Sequence, residues 1–177
     1  MPPIRSILLF GEGKTEAVFL SHLRDLYRVP GTVAKVEHGR GGSAPTVVRG
    51  AIRIASLADY SDILVLLDSD RADGPVPPEW CEDPRLVIKY SSPCLEALLL
   101  EILGDGKLPG LRHGASASAR CKSHFQSAYL GTDRSSHVLG RLKKTLQAKF
   151  PLRLLEEART RIPVLNEMIH VIRGPIR

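Results

Sequence analysis

The chain is short of the features that staple or anchor a fold. Its three cysteines, Cys81, Cys94 and Cys121, stand far apart with no Cys-x-x-Cys pair, so neither a disulfide framework nor a zinc ribbon is supported. Thiols placed this way suit a reducing cytosol. No apolar run approaches the length of a membrane span, and the opening Met-Pro-Pro-Ile-Arg leads into a strand-like stretch that stops at Gly11, too short for a signal peptide. A cytoplasmic protein that makes no use of a membrane is expected. Aromatic residues are scarce, with four Phe, four Tyr and one Trp. That leaves few platforms for stacked bases and argues against gripping a single strand that way. Internal repeats and low-complexity tracts are also missing.

What is present is enough for a core without staples, since 177 residues bury a sizeable apolar interior. The net charge of +6 is unevenly spread. Residues 1–105 hold 11 Lys/Arg against 15 Asp/Glu, a net −4, while residues 106–177 hold 14 against 4, a net +10. A basic segment joined to an acidic one is what an enzyme acting on nucleic acid would use, phosphates on one part and metal on the other. A solvated basic helical surface explains the same numbers.

The stretch Leu64-Val65-Leu66-Leu67-Asp68-Ser69-Asp70 organises the acidic half. Four apolar residues without polar alternation read as a strand buried on both faces, the kind found in parallel sheets covered by helices, and ligands of such sheets sit beyond the carboxyl ends of the strands. Asp68 and Asp70 fall at that end. An extended backbone there points both carboxylates to one side, where each raises the other's pKa unless a cation lies between them. All-oxygen ligation suits Mg²⁺ or Mn²⁺. The alternative is that Asp68 caps the following turn and Asp70 is solvated, and spacing leaves both open.

Further strands are expected at Ile4 to Phe10, Val33 to Glu37 and Arg85 to Tyr90, with helices after Gly13, over Val47 to Leu57, and after Ser91-Ser92-Pro93, where Ser92 can cap and Pro93 fits the first turn. This is a doubly wound α/β pattern. The turn Gly11-Glu12-Gly13-Lys14-Thr15-Glu16 is neither a Walker A loop, which would need glycine where Leu8 stands, nor a dinucleotide fingerprint, which would need it where Glu16 stands. It holds Glu12 at the end of a buried strand, a position that also fits a solvated loop glutamate. The loop His38 to Ser43, with Arg40, is either a phosphate approach or a connector. Glu96, just inside the helix after Pro93, is either a ligand on the same side of the sheet or an acid complementing the helix dipole. Residues 104–114 read as a glycine-rich linker. Helices are expected near 115–130, 135–149 and 152–172, the second made basic by Arg141, Lys143, Lys144 and Lys149.

Taken together, Gly11-Glu12-Gly13-Lys14-Thr15-Glu16 after the first strand and Leu67-Asp68-Ser69-Asp70 after the central one resemble the TOPRIM domain, whose pattern is a glutamate after its first strand and an Asp-x-Asp after a later one. The form GEGKTEAVFL with a later SSPCLEALLL is similar, more narrowly, to the RloB-like branch, which adds an acid after a Ser/Asn-Pro turn and a basic helical tail. In place of that branch's bulky aromatic after the Pro-turn glutamate, this chain has Ala97 and Leu98. The resemblance implies a TOPRIM-like, Rossmann-like α/β domain over residues 1–105, with a mostly parallel four-stranded sheet, and a basic helical extension over 106–177. It implies that Glu12 with Asp68 and Asp70 bind Mg²⁺ or Mn²⁺, joined by Glu16 and Glu96. It also implies a metal-dependent nuclease or related phosphodiester-transfer enzyme acting on DNA or RNA, in phage defence or mobile-element biology. A homodimer and a protein partner encoded nearby remain open. Lys14, Arg71 and Lys89 are nominated to neutralise the phosphate, Lys89 because it ends a strand at the same edge of the sheet; a salt bridge or a solvated face would account for each equally. The alternative function is a metal-, nucleotide- or nucleic-acid-binding subunit of a larger defence complex that turns nothing over alone.

Overall fold

A computed structural model describes residues 5–70, 74–114, 116–131 and 137–174. Four strands, β1 (Arg5–Gly11), β2 (Thr32–His38), β3 (Asp62–Asp68) and β4 (Leu86–Ser91), form one sheet in the order β2-β1-β3-β4, and every pairing is parallel. Parallel strands require crossovers, and these are helices α1 (Lys14–Tyr27) and α2 (Ala44–Ala55), followed by a 3₁₀ turn at Pro78–Glu82 between β3 and β4. Gly-Pro-Val-Pro-Pro after residue 73 allows nothing longer there. The α/β fold with a parallel sheet is as the apolar runs predict; the nomination of Arg71 lies outside the described residues.

The two central strands are buried on both faces because alternate residues serve two cores. Ile7, Leu9, Leu64 and Leu66 face one way, onto α1 and its neighbours, while Leu8, Phe10, Ile63, Val65 and Leu67 face the other, onto Val47, Val48 and Ala51 of α2. Asp68 continues the even-numbered series of β3 and so belongs to the α1 face.

The remaining elements are α3 (Leu95–Leu103), the short α4 (Leu108–Leu111), α5 (Ala117–Phe125) running into a π-helical turn (Gln126–Leu130), α6 (Val138–Lys149), α7 (Leu152–Arg159) and α8 (Pro163–Arg173). Two expectations shift here. The last predicted helix is broken in two at Arg161-Ile162-Pro163, since proline cannot continue a helix but starts one well. Helix α3 begins at Leu95, after a cis Ser92-Pro93 peptide bond, and Ser92 does not cap it. The extension also does more than append. Leu142, Leu146, Phe150, Leu155 and Ile169 lie in the same continuous core as Ile7, Leu9, Phe19 and Leu23. Arg5, at the start of β1, pairs with Asp62 at 2.7 Å and donates to the carbonyls of Val171 and Ile172, closing the C-terminal end of α8. Arg161 does the same for α3 through the carbonyls of Glu101 and Ile102. Residues 106–174 thus supply part of one layer of the α/β structure.

Candidate functional site

Glycine fixes where Glu12 stands. A Cβ on Gly11 would lie 2.7 Å from the Ala17 nitrogen and 2.8 Å from Glu16 Cβ, so α1 starts this close to β1 only because position 11 carries no side chain. The Glu12 nitrogen still donates to Leu66 O of β3 at 3.0 Å, and the next loop is laced on from the far side, Gly39 N to Gly11 O at 2.9 Å and Gly41 N to Glu12 O at 3.2 Å. Glu12 is buried, and its Oε2 accepts from the Asp68 nitrogen at 3.1 Å. The acids ending the neighbouring strands β1 and β3 are therefore in contact.

Asp68 is shared between two tasks. Its Oδ1 accepts from Ser91 Oγ and from the Leu95 nitrogen, both at 2.8 Å, which makes it the cap of α3, reaching across from another strand to an otherwise orphaned helix N–H. Its Oδ2 is 3.3 Å from Lys122 Nζ, and the same ammonium is 3.4 Å from Asp70 Oδ2. The backbone of Asp70 is held by Pro93 O at 3.0 Å. Of the alternative left open by the spacing, the solvated Asp70 is not found. Asp68 caps α3, beyond β4, rather than the turn that directly follows it, and Asp70 is ion-paired.

Glu16 and Glu96 complete the acidic wall. Glu16 folds back to accept from the Gly13 nitrogen at 2.8 Å. Burial pushes its carboxyl up to about 7, with the negative charges of Asp68 and Glu96 adding to the effect against the backbone hydrogen bonds. Burial raises Glu96 too, Asp68 again adding and Lys122 opposing. For Lys122 burial works against the charged form, but Asp68, Asp70 and Glu96 outweigh it and hold the ammonium above its ordinary range. The cleft these residues border has a volume of about 670 Å³, with Lys14 and Arg40 facing it from the two glycine-rich loops.

Of the nominated residues, the structure brings Glu12, Glu16, Asp68 and Glu96 to one cleft, with Asp70 joined to them through Lys122. Lys89 is elsewhere. It lies beside Leu66 in the ladder, two residues before the end of β4, and its Nζ is 2.5 Å from Glu167 of α8. It does not end the strand as expected, since β4 runs on through Tyr90 to Ser91, and its side chain is engaged with the extension. The basic residues of α6 do not reach the cleft either: Lys143 borders a separate hollow with Arg24 and Asp25, and Lys149 sits over the Tyr129 ring. Among the described residues, the cation ion-paired with Asp68 and Asp70 is Lys122 of α5, which the sequence does not single out, because these partners are more than 50 positions away.

The oxygen-only donor set and the build-up of negative charge around Glu16 suit a hard divalent cation. The tight convergence of three acids expected from the sequence is not found. Among the described residues, no three His, Cys, Asp or Glu side chains are placed to hold one ion as they stand, since one Asp68 oxygen caps α3 and the other faces the lysine. No helix among the described residues is long and apolar enough to cross a membrane. No family model, no curated protein and no solved structure matches this chain.

Proposed function

We propose that this chain is a Mg²⁺- or Mn²⁺-dependent nuclease or related phosphodiester-transfer enzyme of TOPRIM type, acting on DNA or RNA in a phage-defence or mobile-element setting in the cytoplasm. The observation that carries the reading is the hydrogen bond from the Asp68 nitrogen to Glu12 Oε2. It joins the acid after strand one to Asp68, the first acid of the Asp-x-Asp, at the carboxyl edge of a parallel sheet, where Glu16 and Glu96 line the same cleft.

A divalent ion in this cleft would polarise a phosphoryl oxygen and lower the pKa of a bound water. Asp68 Oδ2 and Asp70 Oδ2 are the oxygens to receive it once Lys122 swings away, with Glu12, Glu16 and Glu96 in reserve. Lys122 is 40 % exposed on a flexible stem, so that movement needs no change of backbone. Released, its ammonium joins Lys14 and Arg40 as a donor to the phosphate, where fixed positive charge is worth most in the transition state. Glu12, if it is not a ligand, is placed to take or give a proton.

The test is cleavage of single- and double-stranded DNA and RNA in Mn²⁺, Mg²⁺ or EDTA. Metal-dependent product is expected from the natural chain, with a loss of at least about 100-fold in Asp68→Asn and in Glu12→Gln. Undiminished metal-dependent cleavage in both variants would end the reading. The pairing of Lys122 with both aspartates favours a second one, a nucleic-acid- or nucleotide-binding subunit of a larger complex, in which the lysine permanently stands in for the metal. Salt-sensitive binding without product under every condition would select it.

A further inference from the structure

Beside the acidic cleft lies a second hollow that phosphodiester chemistry does not use. Thr15, Glu96 and Lys122 line both. Beyond them the character changes: the second cavity, about 240 Å³, is floored by Leu99, Phe125 and Leu142, all fully buried or nearly so. The Phe125 ring is held in place by stacking on Tyr129, with centroids 5.3 Å apart. The exposed Gln126, in the π-helical turn, and Val138, 40 % exposed at the start of α6, border it on the solvent side.

We propose that this cavity is a base subsite, which takes one unpaired nucleobase of the strand whose phosphate enters the acidic cleft. The inference rests on the phosphodiester reading and narrows its substrate to nucleic acid with an unpaired or extruded nucleotide. A nucleobase has two apolar faces and a polar rim, so it asks for apolar walls with a few hydrogen-bonding groups at the edge. The part-exposed Leu130, Val138 and Leu139 supply the apolar walls over a base of Leu99, Phe125 and Leu142, and the Gln126 amide offers both a donor and an acceptor. The volume is below the ~300 Å³ at which drug-sized sites begin, so it admits one ring system and not a stacked pair. A base inside an intact duplex cannot reach a floor that is buried. Adjacency supplies the connection: a base and its phosphate are tied through one sugar, and the two hollows lie on either side of the same three side chains. The scarcity of aromatics in the chain fits an enclosed single base better than a stacking platform along a strand.

The test uses the whole chain. Val138→Trp fills the cavity from its exposed side, and Leu57→Trp, 80 % exposed in the turn after α2, is the control of equal bulk. Binding is read by fluorescence anisotropy in EDTA, so that turnover does not interfere, on short labelled single strands and duplexes of DNA and of RNA. Each single strand is also made with one abasic position moved along it. In the natural chain and in Leu57→Trp, one abasic position is expected to weaken binding about tenfold. Val138→Trp should bind intact single strands about tenfold more weakly, leave duplex binding unchanged, and no longer distinguish intact from abasic strands. The nucleic acid that shows the abasic penalty is the one the subsite takes. The proposal is overturned if no abasic position costs affinity, or if Val138→Trp, melting as the natural chain does, binds both kinds of strand undiminished. Absence of cleavage with the abasic penalty intact would overturn the nuclease reading alone.

Discussion

Glu16 offers a test of the cleft's electrostatics that needs no substrate. Its carboxyl is buried beside Asp68 and Glu96, and titrates at about 7 in the folded chain against 4.5 for a free glutamate. Between those values the folded protein retains a proton that the unfolded chain has lost, so stability falls as pH rises through this window and levels off above it. At about 1.36 kcal/mol per pH unit, the full cost is at most about 3 kcal/mol. Glu16→Gln keeps the acceptor for the Gly13 nitrogen and removes the ionisation. By urea denaturation in EDTA, the variant should match the natural chain near pH 5 and exceed it by up to about 3 kcal/mol at pH 8. A chain of this size would register that as roughly 6–12 °C in melting temperature. Millimolar Mg²⁺ should shrink the difference at pH 8, because a cation in the cleft favours the ionised glutamate. Parallel pH profiles for the two proteins would refute the reasoning, since any titration of Glu96 is common to both.

Lys122→Met removes the ammonium between Asp68 and Asp70; because the lysine is part-exposed the loss should be no more than about 1 kcal/mol, and added Mg²⁺ should raise the melting temperature of the variant more than that of the natural chain. Equal Mg²⁺ stabilisation of the two would count against a cation site there. Gly11→Ala drives a Cβ into the backbone of α1 at 2.7 Å and should cost about 1–3 kcal/mol in urea denaturation, with cleavage lost even where the fold survives. A piece ending at residue 105 leaves one face of the sheet without α6 to α8 and should show no cooperative melt by circular dichroism; a sharp transition would mean the acidic half is self-sufficient.

The sheet was legible because its signal is local. Ile7 to Phe10 and Leu64 to Leu67 are apolar without alternation, and the structure buries each on both faces of a parallel sheet. The break at Pro163 was equally local but was overridden by the helical spacing on either side of it. The start of α3 was misplaced for a different reason. Its capping oxygen comes from Asp68, 27 positions earlier, so Ser92-Pro93 mimics a cap that the folded chain takes from elsewhere.

The same distinction separates the acids from the cation. Glu12, Asp68 and Asp70 follow strands, and strands that lie parallel deliver their carboxyl ends to one edge whatever the details of packing. Position in sequence was therefore enough to put Glu12 and Asp68 in contact, with Asp70 linked to Asp68 through Lys122. A cation has no such rule to follow. Lys89 lies near the end of β4, yet its long stem reaches Glu167 on the helix packed over that face. Lys122 arrives from α5, whose place beside α3 is set by Cys121 and Phe125 entering the shared core, a contact that no spacing within the acidic half reports. The basic balance of residues 106–177 said nothing of a lysine meeting the acids, and which one does so is decided by packing. For the chemistry this matters directly: a charge delivered by the extension can be withdrawn without disturbing the strands, whereas the carboxylates cannot leave the edge of the sheet. On the reading proposed above, exchange of ammonium for metal ion at Asp68 and Asp70 is a movement of Lys122.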